Sequence, residues 1–350
     1  VTRPPAAKRG ELLLDLALTA RCPLRCRFCT VEKAAAGVEL SAEAWCALIA
    51  AVARRRVIRL VSLEGGEPLV RPDLPEILAA ALAHASAVKL VTGGAVPFEA
   101  LPLALARDPR FTLEVSVDGP AAVHDRLRDG SFAAAWGFIR RGRRAGLRLR
   151  LRAVVSTVNI AVLEEWLAAV DHELSGTGPR IGFRFDVLID PASLAGAGGP
   201  LARPGWRTFG GRGWVPAPSA VAALYHRLRR RRFRRLVLEQ QEPFRGCGIG
   251  RLPALAFDPA GRYSLCCEAP GCLGSLGTAT VEEILARLDR EMDRLPCRRC
   301  AELGAERCDG CWTGRKCGLV GAWGLGDCRA LAALADGREA LPGAGRRACP

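Results

Sequence analysis

The sequence predicts an α/β protein: an open parallel sheet covered by helices, followed by a small cysteine-rich α+β domain. Three observations carry that reading. Short aliphatic and β-branched runs alternate with helix-like segments from residue 11 to residue 188, and repeated strand–helix–strand cycles give parallel strands joined by right-handed crossovers. After residue 190 the composition changes to a Pro- and Gly-rich stretch. Eleven of the fifteen cysteines then fall between Cys247 and Cys349.

The elements follow in order. Residues 11–18 read as a buried strand in which Glu11 and Asp15 interrupt an aliphatic run. Ser41 is a good N-cap for a helix to about Arg54, with Glu43 in its first turn. Val57 to Leu63 is a β-branched run that ends in Glu64-Gly65-Gly66-Glu67-Pro68. Helices are expected over 74–85, 97–107, 132–145 and 161–173, and strands over 88–92, 111–117, 147–155 and 181–188. A linker or a loop over the sheet's mouth then leads to a helix over 219–235 that carries the arginine run Arg227 to Arg235. That run reads first as a solvated basic face.

At 350 residues, 49% of them apolar, the chain can bury one large core and a smaller one. We divide it into a sheet domain (1–190), a bridging region with the basic helix (191–240), a cysteine-rich domain (241–335) and a tail (336–350). No apolar run reaches about 18 residues and no signal-peptide pattern opens the sequence, so a soluble, cytoplasmic protein with no membrane partner is expected. In a reducing compartment the cysteines point to metal–sulfur chemistry rather than disulfides. The net charge of +15 is almost wholly arginine, since Lys8, Lys33, Lys89 and Lys316 are the only lysines. With so much Ala and Gly this reflects GC-rich coding more than nucleic-acid binding, though an acidic peptide would still be attracted.

In sheets of this kind ligands gather at the C-terminal ends of the strands. Just past strand one lies Cys22-x3-Cys26-x2-Cys29. A [4Fe–4S] cubane has four irons, so three thiolates leave one iron open to another ligand. Zinc would ask for four protein ligands in paired halves.

This spacing, with the aromatic Phe28 before the last cysteine, resembles the signature of the radical S-adenosylmethionine (SAM) enzymes, whose open iron chelates the amino and carboxylate groups of SAM. The resemblance implies that Cys22, Cys26 and Cys29 bind the cluster, that Phe28 packs beside the adenine and that the six strands form the family's partial (β/α)6 barrel. Gly65-Gly66-Glu67-Pro68 is similar to the motif that holds the SAM amino group; its glycines allow close backbone approach and Pro68 fixes the turn. Thr92-Gly93-Gly94 stands where the family commonly has Thr-Asn-Gly. Ser116-Val117-Asp118-Gly119-Pro120, followed by His124-Asp125 and Arg126, resembles a stretch of the family branch with cysteine-rich extensions. Ser116 and Asp118 would face the SAM ribose or carboxylate, Arg152 is a weaker candidate for the carboxylate, and His124 is structural.

The later cysteines open as Cys247-x13-Gly261-x4-Cys266, with Cys267 and Cys272 close behind. Cys297-x2-Cys300-x7-Cys308-x2-Cys311, Cys317 and Cys328 follow. The opening resembles the SPASM extension, which carries two auxiliary [4Fe–4S] clusters, although the later spacings are looser than the family's. The favoured register gives Cys297, Cys300, Cys308 and Cys328 to the distal cluster. Cys247, Cys266 and Cys311 go to the proximal one, with Cys272, Cys267 or Cys317 completing it. On its own the paired Cys-x2-Cys pattern also suits zinc. Cys267 is the candidate catalytic thiol, since successive side chains of an extended segment point to opposite faces; Cys46 and Cys349 read as free thiols.

What the resemblance implies is reductive cleavage of SAM to a 5′-deoxyadenosyl radical, which takes a hydrogen atom from a substrate. A flavodoxin or ferredoxin would be the reductant. The substrate class implied is a ribosomally made precursor peptide, delivered by a separate leader-binding partner because strand one begins only about ten residues in. A small-molecule radical dehydrogenase is the alternative enzyme, and an iron–sulfur or zinc nucleic-acid-binding protein is the alternative of another class.

Overall fold

The computed structural model describes residues 10–29, 31, 39–176, 178–187, 214–239, 252–265 and 273–294. Strand β1 (Glu11–Thr19) is followed by α1 (Ala42–Ala53), β2 (Val57–Gly65), α2 (Leu74–His84), β3 (Val88–Thr92), α3 (Leu103–Ala106), β4 (Phe111–Ser116), α4 (Ala121–Leu127) and α5 (Phe132–Arg144). Then come β5 (Leu149–Val155), α6 (Leu163–Glu173), β6 (Ile181–Val187), α7 (Pro218–Arg230), β7 (Leu236–Leu238), β8 (Ala254–Phe257), β9 (Arg262–Ser264), β10 (Gly274–Ser275) and α8 (Val281–Arg294).

The strands form one sheet in the order β10-β9-β8-β1-β2-β3-β4-β5-β6-β7. The six expected strands are neighbours in chain order and parallel. Two more parallel strands extend the set: β7 pairs with β6, and β8, from the cysteine-rich segment, pairs with β1. Strands β9 and β10 continue past β8 as an antiparallel edge.

The two faces of the sheet differ, and the difference begins in the sequence. In β1 the even-numbered Leu12, Leu14, Leu16 and Leu18 are fully buried in one apolar cluster with Trp45, Ile49 and Val52 of α1. Burying a leucine of this kind is worth roughly 1.5–3 kcal/mol. The odd-numbered residues from Glu11 to Ala17, Asp15 among them, are half-buried on the other face. That inner face is charged rather than aliphatic. Glu114 lies 3.6 Å from the Lys89 ammonium and takes the Arg150 and Arg152 guanidinium groups at 3.2 and 3.5 Å. Asp186 takes Arg184 at 2.8 Å and pairs with Arg152. Burial works to raise the Glu114 and Asp186 carboxyls, but these cations hold both below the usual carboxylate range.

Three local departures from the sequence expectation have physical causes. The helix expected over 97–107 divides into a 3-10 turn, Phe98–Ala100, and the short α3. Pro102 has no N–H to donate and drives the preceding Leu101 to an extended conformation. The basic helix stops at Arg230, where Arg231 turns extended, and the chain re-enters the sheet as β7. There the Asp171 carboxylate accepts from the amides of Arg234, Arg235 and Leu236 at 2.7–2.8 Å. Finally α4, absent from the sequence reading, starts after Pro120. Part of the basic run is spent on packing: Arg227 and Arg231 pair with Glu164, and Arg231 also with Glu165, on α6.

Candidate active site

The C-terminal ends of β1 and β2 build the site together. Gly65 is the partner of Thr19 in the ladder and has φ +131°; a Cβ there would sit 2.5 Å from the Thr19 carbonyl. A Cβ on Gly66 would come closer still to the Arg21 carbonyl, with the Ala20 carbonyl carbon at 2.9 Å. Only glycines let the two backbones approach this far. The approach is used: Gly66 N donates to Thr19 O at 2.6 Å and Glu67 N to Arg21 O at 2.8 Å. Cys22 is the next residue, so the Gly-Gly turn sets where the cysteine loop starts.

Glu67 is buried, and its carboxylate is turned towards β3. It accepts from the Thr92 hydroxyl and Gly93 N, both at 2.9 Å, and from Leu69 N at 3.2 Å. Burial raises its carboxyl while these hydrogen bonds pull it down, and burial prevails. Glu67 therefore locks the turn to β3, and Thr92, which also accepts from Gly94 N at 2.9 Å, is the other half of the lock. Pro68 opens the 3-10 turn Pro68–Val70 and is buried.

On its far side the cysteine loop rests on the end of α4. Arg27 N donates to Leu127 O at 2.9 Å, and Arg25 N to the Asp129 carboxylate at 3.1 Å. Between these contacts the Arg128 guanidinium lies over the Phe28 ring, 4.8 Å from its centroid, with Nη1 4.0 Å from Cys26 Sγ. Behind it the buried Asp118 accepts from Arg128 Nε at 2.5 Å and from Val154 N at 2.8 Å. The next layer is also bonded. His124 accepts from Asp118 N at 3.2 Å and meets the Ser131 hydroxyl at 3.0 Å, and Asn159 donates to Asp118 O at 2.9 Å. His124 thus ties the Asp118 turn to Ser131.

Cys22, Cys26 and Cys29 are half-buried within this frame. Burial raises the Cys26 thiol, Arg128 opposes that, and the neighbouring Cys29 and Cys22 raise it further. Among the described residues no three His, Cys, Asp or Glu side chains converge on a single ion. A cubane asks for something else, since each thiolate binds its own iron. Three adjacent reduced thiols beside a buried guanidinium fit that donor set.

Other predicted site residues take varied places. Ser116 ends β4, is buried, and its hydroxyl has no hydrogen bond among the described residues. Asp118 is committed to Arg128 and β5. Arg152 is surrounded by carboxylates, paired with Asp186 and Glu114 and 3.9 Å from Glu64. Cys247, Cys266, Cys267, Cys272, Cys297, Cys300, Cys308, Cys311 and Cys328 lie outside the described residues. Arg128 escaped the sequence reading, which gave weight to the exposed Arg126. The signal was its i,i+4 spacing from His124, which puts both on one helix face. Glu39 was missed too: it accepts from the Thr19 hydroxyl at 2.5 Å and Ala20 N at 3.2 Å, just before the cysteines.

The described residues thus form a parallel α/β sheet with three thiols past the end of its first strand and a glycine turn bonded beside them. Residues 16–168 match the model of the radical SAM superfamily. Among curated proteins the chain is similar to a PqqA peptide cyclase of Granulibacter bethesdensis, 32% identical over 158 residues, covering 43% of this chain and 42% of that protein. It is also similar to a pre-heme d1 synthase of Dinoroseobacter shibae, 30% identical over 176 residues, covering 49% and 43%. The match thus spans less than half the length of these relatives. In fold it is similar to Streptococcus suis SuiB bound to S-adenosylmethionine, with TM-score 0.59 and 13% identity over 78% of this chain and 65% of that one. A structure of SuiB bound to its precursor peptide SuiA aligns with TM-score 0.55 and 14% identity over 73% and 60%. The described residues include no helix long and apolar enough to cross a membrane.

Proposed function

We propose that this protein is a radical SAM enzyme that modifies a ribosomally made peptide. The observation that carries the reading is the three-thiol loop held between the Gly65-Gly66 turn and Arg128. Cys22, Cys26 and Cys29 would hold a [4Fe–4S] cluster whose open iron takes SAM, and the bound pair supplies a 5′-deoxyadenosyl radical able to remove a hydrogen atom from an unactivated carbon. The chain's own part is positioning. The Gly-Gly turn and the Arg128 platform fix the loop from both sides, the Arg128 cation stabilises the Cys26 thiolate, and Ser116 offers a free hydroxyl at the mouth.

The peptide substrate is supported by the PqqA peptide cyclase relative and by the fold shared with SuiB. In this reading the later cysteines hold two auxiliary [4Fe–4S] clusters and Cys267 faces the substrate. A flavodoxin or ferredoxin supplies electrons, and a separate protein presents the peptide leader. The pre-heme d1 synthase relative favours a second reading, a radical enzyme acting on a small molecule. Anaerobically reconstituted protein supplied with SAM and dithionite should release 5′-deoxyadenosine, and the Cys22/Cys26/Cys29→Ala variant should release none. Iron content separates the cluster readings: about twelve per chain for three cubanes, about four if the later cysteines bind zinc. A mass change in a candidate precursor peptide decides between peptide and small molecule.

A further inference from the structure

The inner face of the half-barrel holds a group of side chains that the cluster site does not use. Its cations are all engaged: Lys89 with Glu114, Arg150 with Glu114 and Glu239, Arg152 with Asp186 and Glu114, Arg184 with Asp186. The carboxylates on the β1–β2 side are not. Asp15 has no hydrogen bond or ion pair among the described residues, and Glu64 has only the 3.9 Å approach of Arg152. In the ladder Asp15 is directly opposite Ser62, and Ala17 is opposite Glu64, so Glu64 stands diagonally above Asp15 on the same face. Ser62 is fully buried and its hydroxyl has no hydrogen-bond partner.

A carboxylate with no hydrogen bond or close ion pair, a second held only by Arg152 at 3.9 Å and an orphaned hydroxyl between them are under-satisfied as a group. A buried polar group left without a partner forfeits the hydrogen bonds it had in water. Asp15 registers the cost, since burial and then Glu64 push its carboxyl up to about 6 in spite of Lys89, Arg152 and Arg184. A group with N–H donors and positive charge would satisfy all three side chains at once.

We propose that Asp15, Ser62 and Glu64 form a binding site for an ammonium or guanidinium group of the substrate, within the barrel and below the cluster loop. This deepens the reading of the chain as a radical SAM enzyme and rests on it. The depth argues for substrate rather than SAM. Asp15 lies four residues before the end of β1 at Thr19, roughly 13 Å at 3.3 Å per residue, whereas the SAM end is set at Thr19 and Gly65-Gly66. The shared chemistry is a cationic side chain or a free amine, from a peptide or from a small molecule.

The test uses the full-length, cluster-loaded protein saturated with SAM. Methylguanidinium, a blocked Gly-Arg-Gly peptide and the same peptide with citrulline in place of arginine are titrated by calorimetry at pH 7. The two cations should bind at least tenfold more tightly than the citrulline peptide, and a peptide much tighter than methylguanidinium would place the cation on a peptide side chain. Asp15→Asn should lower cation affinity about tenfold; if that variant does not fold, Glu64→Gln should lower it at least threefold. Affinity for the cations should also fall about tenfold from pH 7 to pH 5 as Asp15 protonates, with Glu64, Lys89, Glu114, Arg152, Arg184 and Asp186 the charged groups around it. Equal binding of the citrulline peptide, unchanged affinity in both variants, or cation binding only in the absence of SAM would overturn the proposal. Failure of the enzyme reading looks different: no 5′-deoxyadenosine from wild-type protein under the same conditions.

Discussion

Gly66→Ala is the sharpest test of how the cysteine loop is held. The added methyl would press on the Arg21 carbonyl, with the Arg21 carbonyl carbon at 2.8 Å and that of Ala20 at 2.9 Å. These are backbone atoms fixed by Gly66 N to Thr19 O and Glu67 N to Arg21 O, so no side chain can rotate away to relieve the contact. Overpacking of this kind costs about 1–3 kcal/mol. Loss of one of the two hydrogen bonds adds roughly 1 kcal/mol. The expected total is about 2–4 kcal/mol, read as a lowered urea midpoint with unchanged m-value. Because Cys22 follows Arg21, iron loading should fall with it. Gly137, inside α5, provides the control: a methyl added there would meet nothing within 4 Å, so Gly137→Ala should stabilise by about 0.5–1 kcal/mol. A Gly66→Ala protein that unfolds at the wild-type midpoint and loads wild-type iron would refute the reasoning.

Arg128→Met leaves the buried Asp118 without its cation and should cost about 3–5 kcal/mol in urea unfolding, with Arg128→Lys recovering part of it. His124 is buried, and desolvation first, then Arg128, hold its imidazole down to about 4 against the pull of Asp118 and Asp125. Between pH 6.5 and 4 the unfolded chain therefore takes up a proton that the folded one refuses. Stability should drop as pH falls through that window, by at most about 3 kcal/mol, and His124→Gln should remove that part of the slope in urea titrations at pH 4 to 7. Asp171→Ala removes the acceptor for three amides at the entry to β7. A loss of about 2–3 kcal/mol and faster amide exchange over 234–238 are expected, and unchanged exchange would contradict that role.

The alternation of Leu12, Leu14, Leu16 and Leu18 with half-buried partners, the period of the helices and the order of strands were legible in the sequence because they depend on neighbours along the chain. So was the loop of three cysteines, whose spacing lies within eight consecutive residues. Pro102 is equally local, and its effect on Leu101 follows from proline chemistry alone, although helix periodicity hides it. Tertiary structure alone decided what stands around the cysteines. Arg128 meets Cys26 across 102 residues, and Glu39 reaches the end of β1 across 20. Strand β8 joins β1 from more than 200 residues away. Glu67 was visible as part of a motif, but the direction of its carboxylate, towards Thr92 at the end of β3 and Gly93 just past it, depends on strand order and register. The same holds for Asp15: as a letter it is one acid in an aliphatic run, and only the register places it beside Ser62 and Glu64 with no hydrogen bond or close ion pair of its own among the described residues. Periodicity and spacing are written in the local sequence; the partner of a buried charge is set by which strands the fold brings side by side.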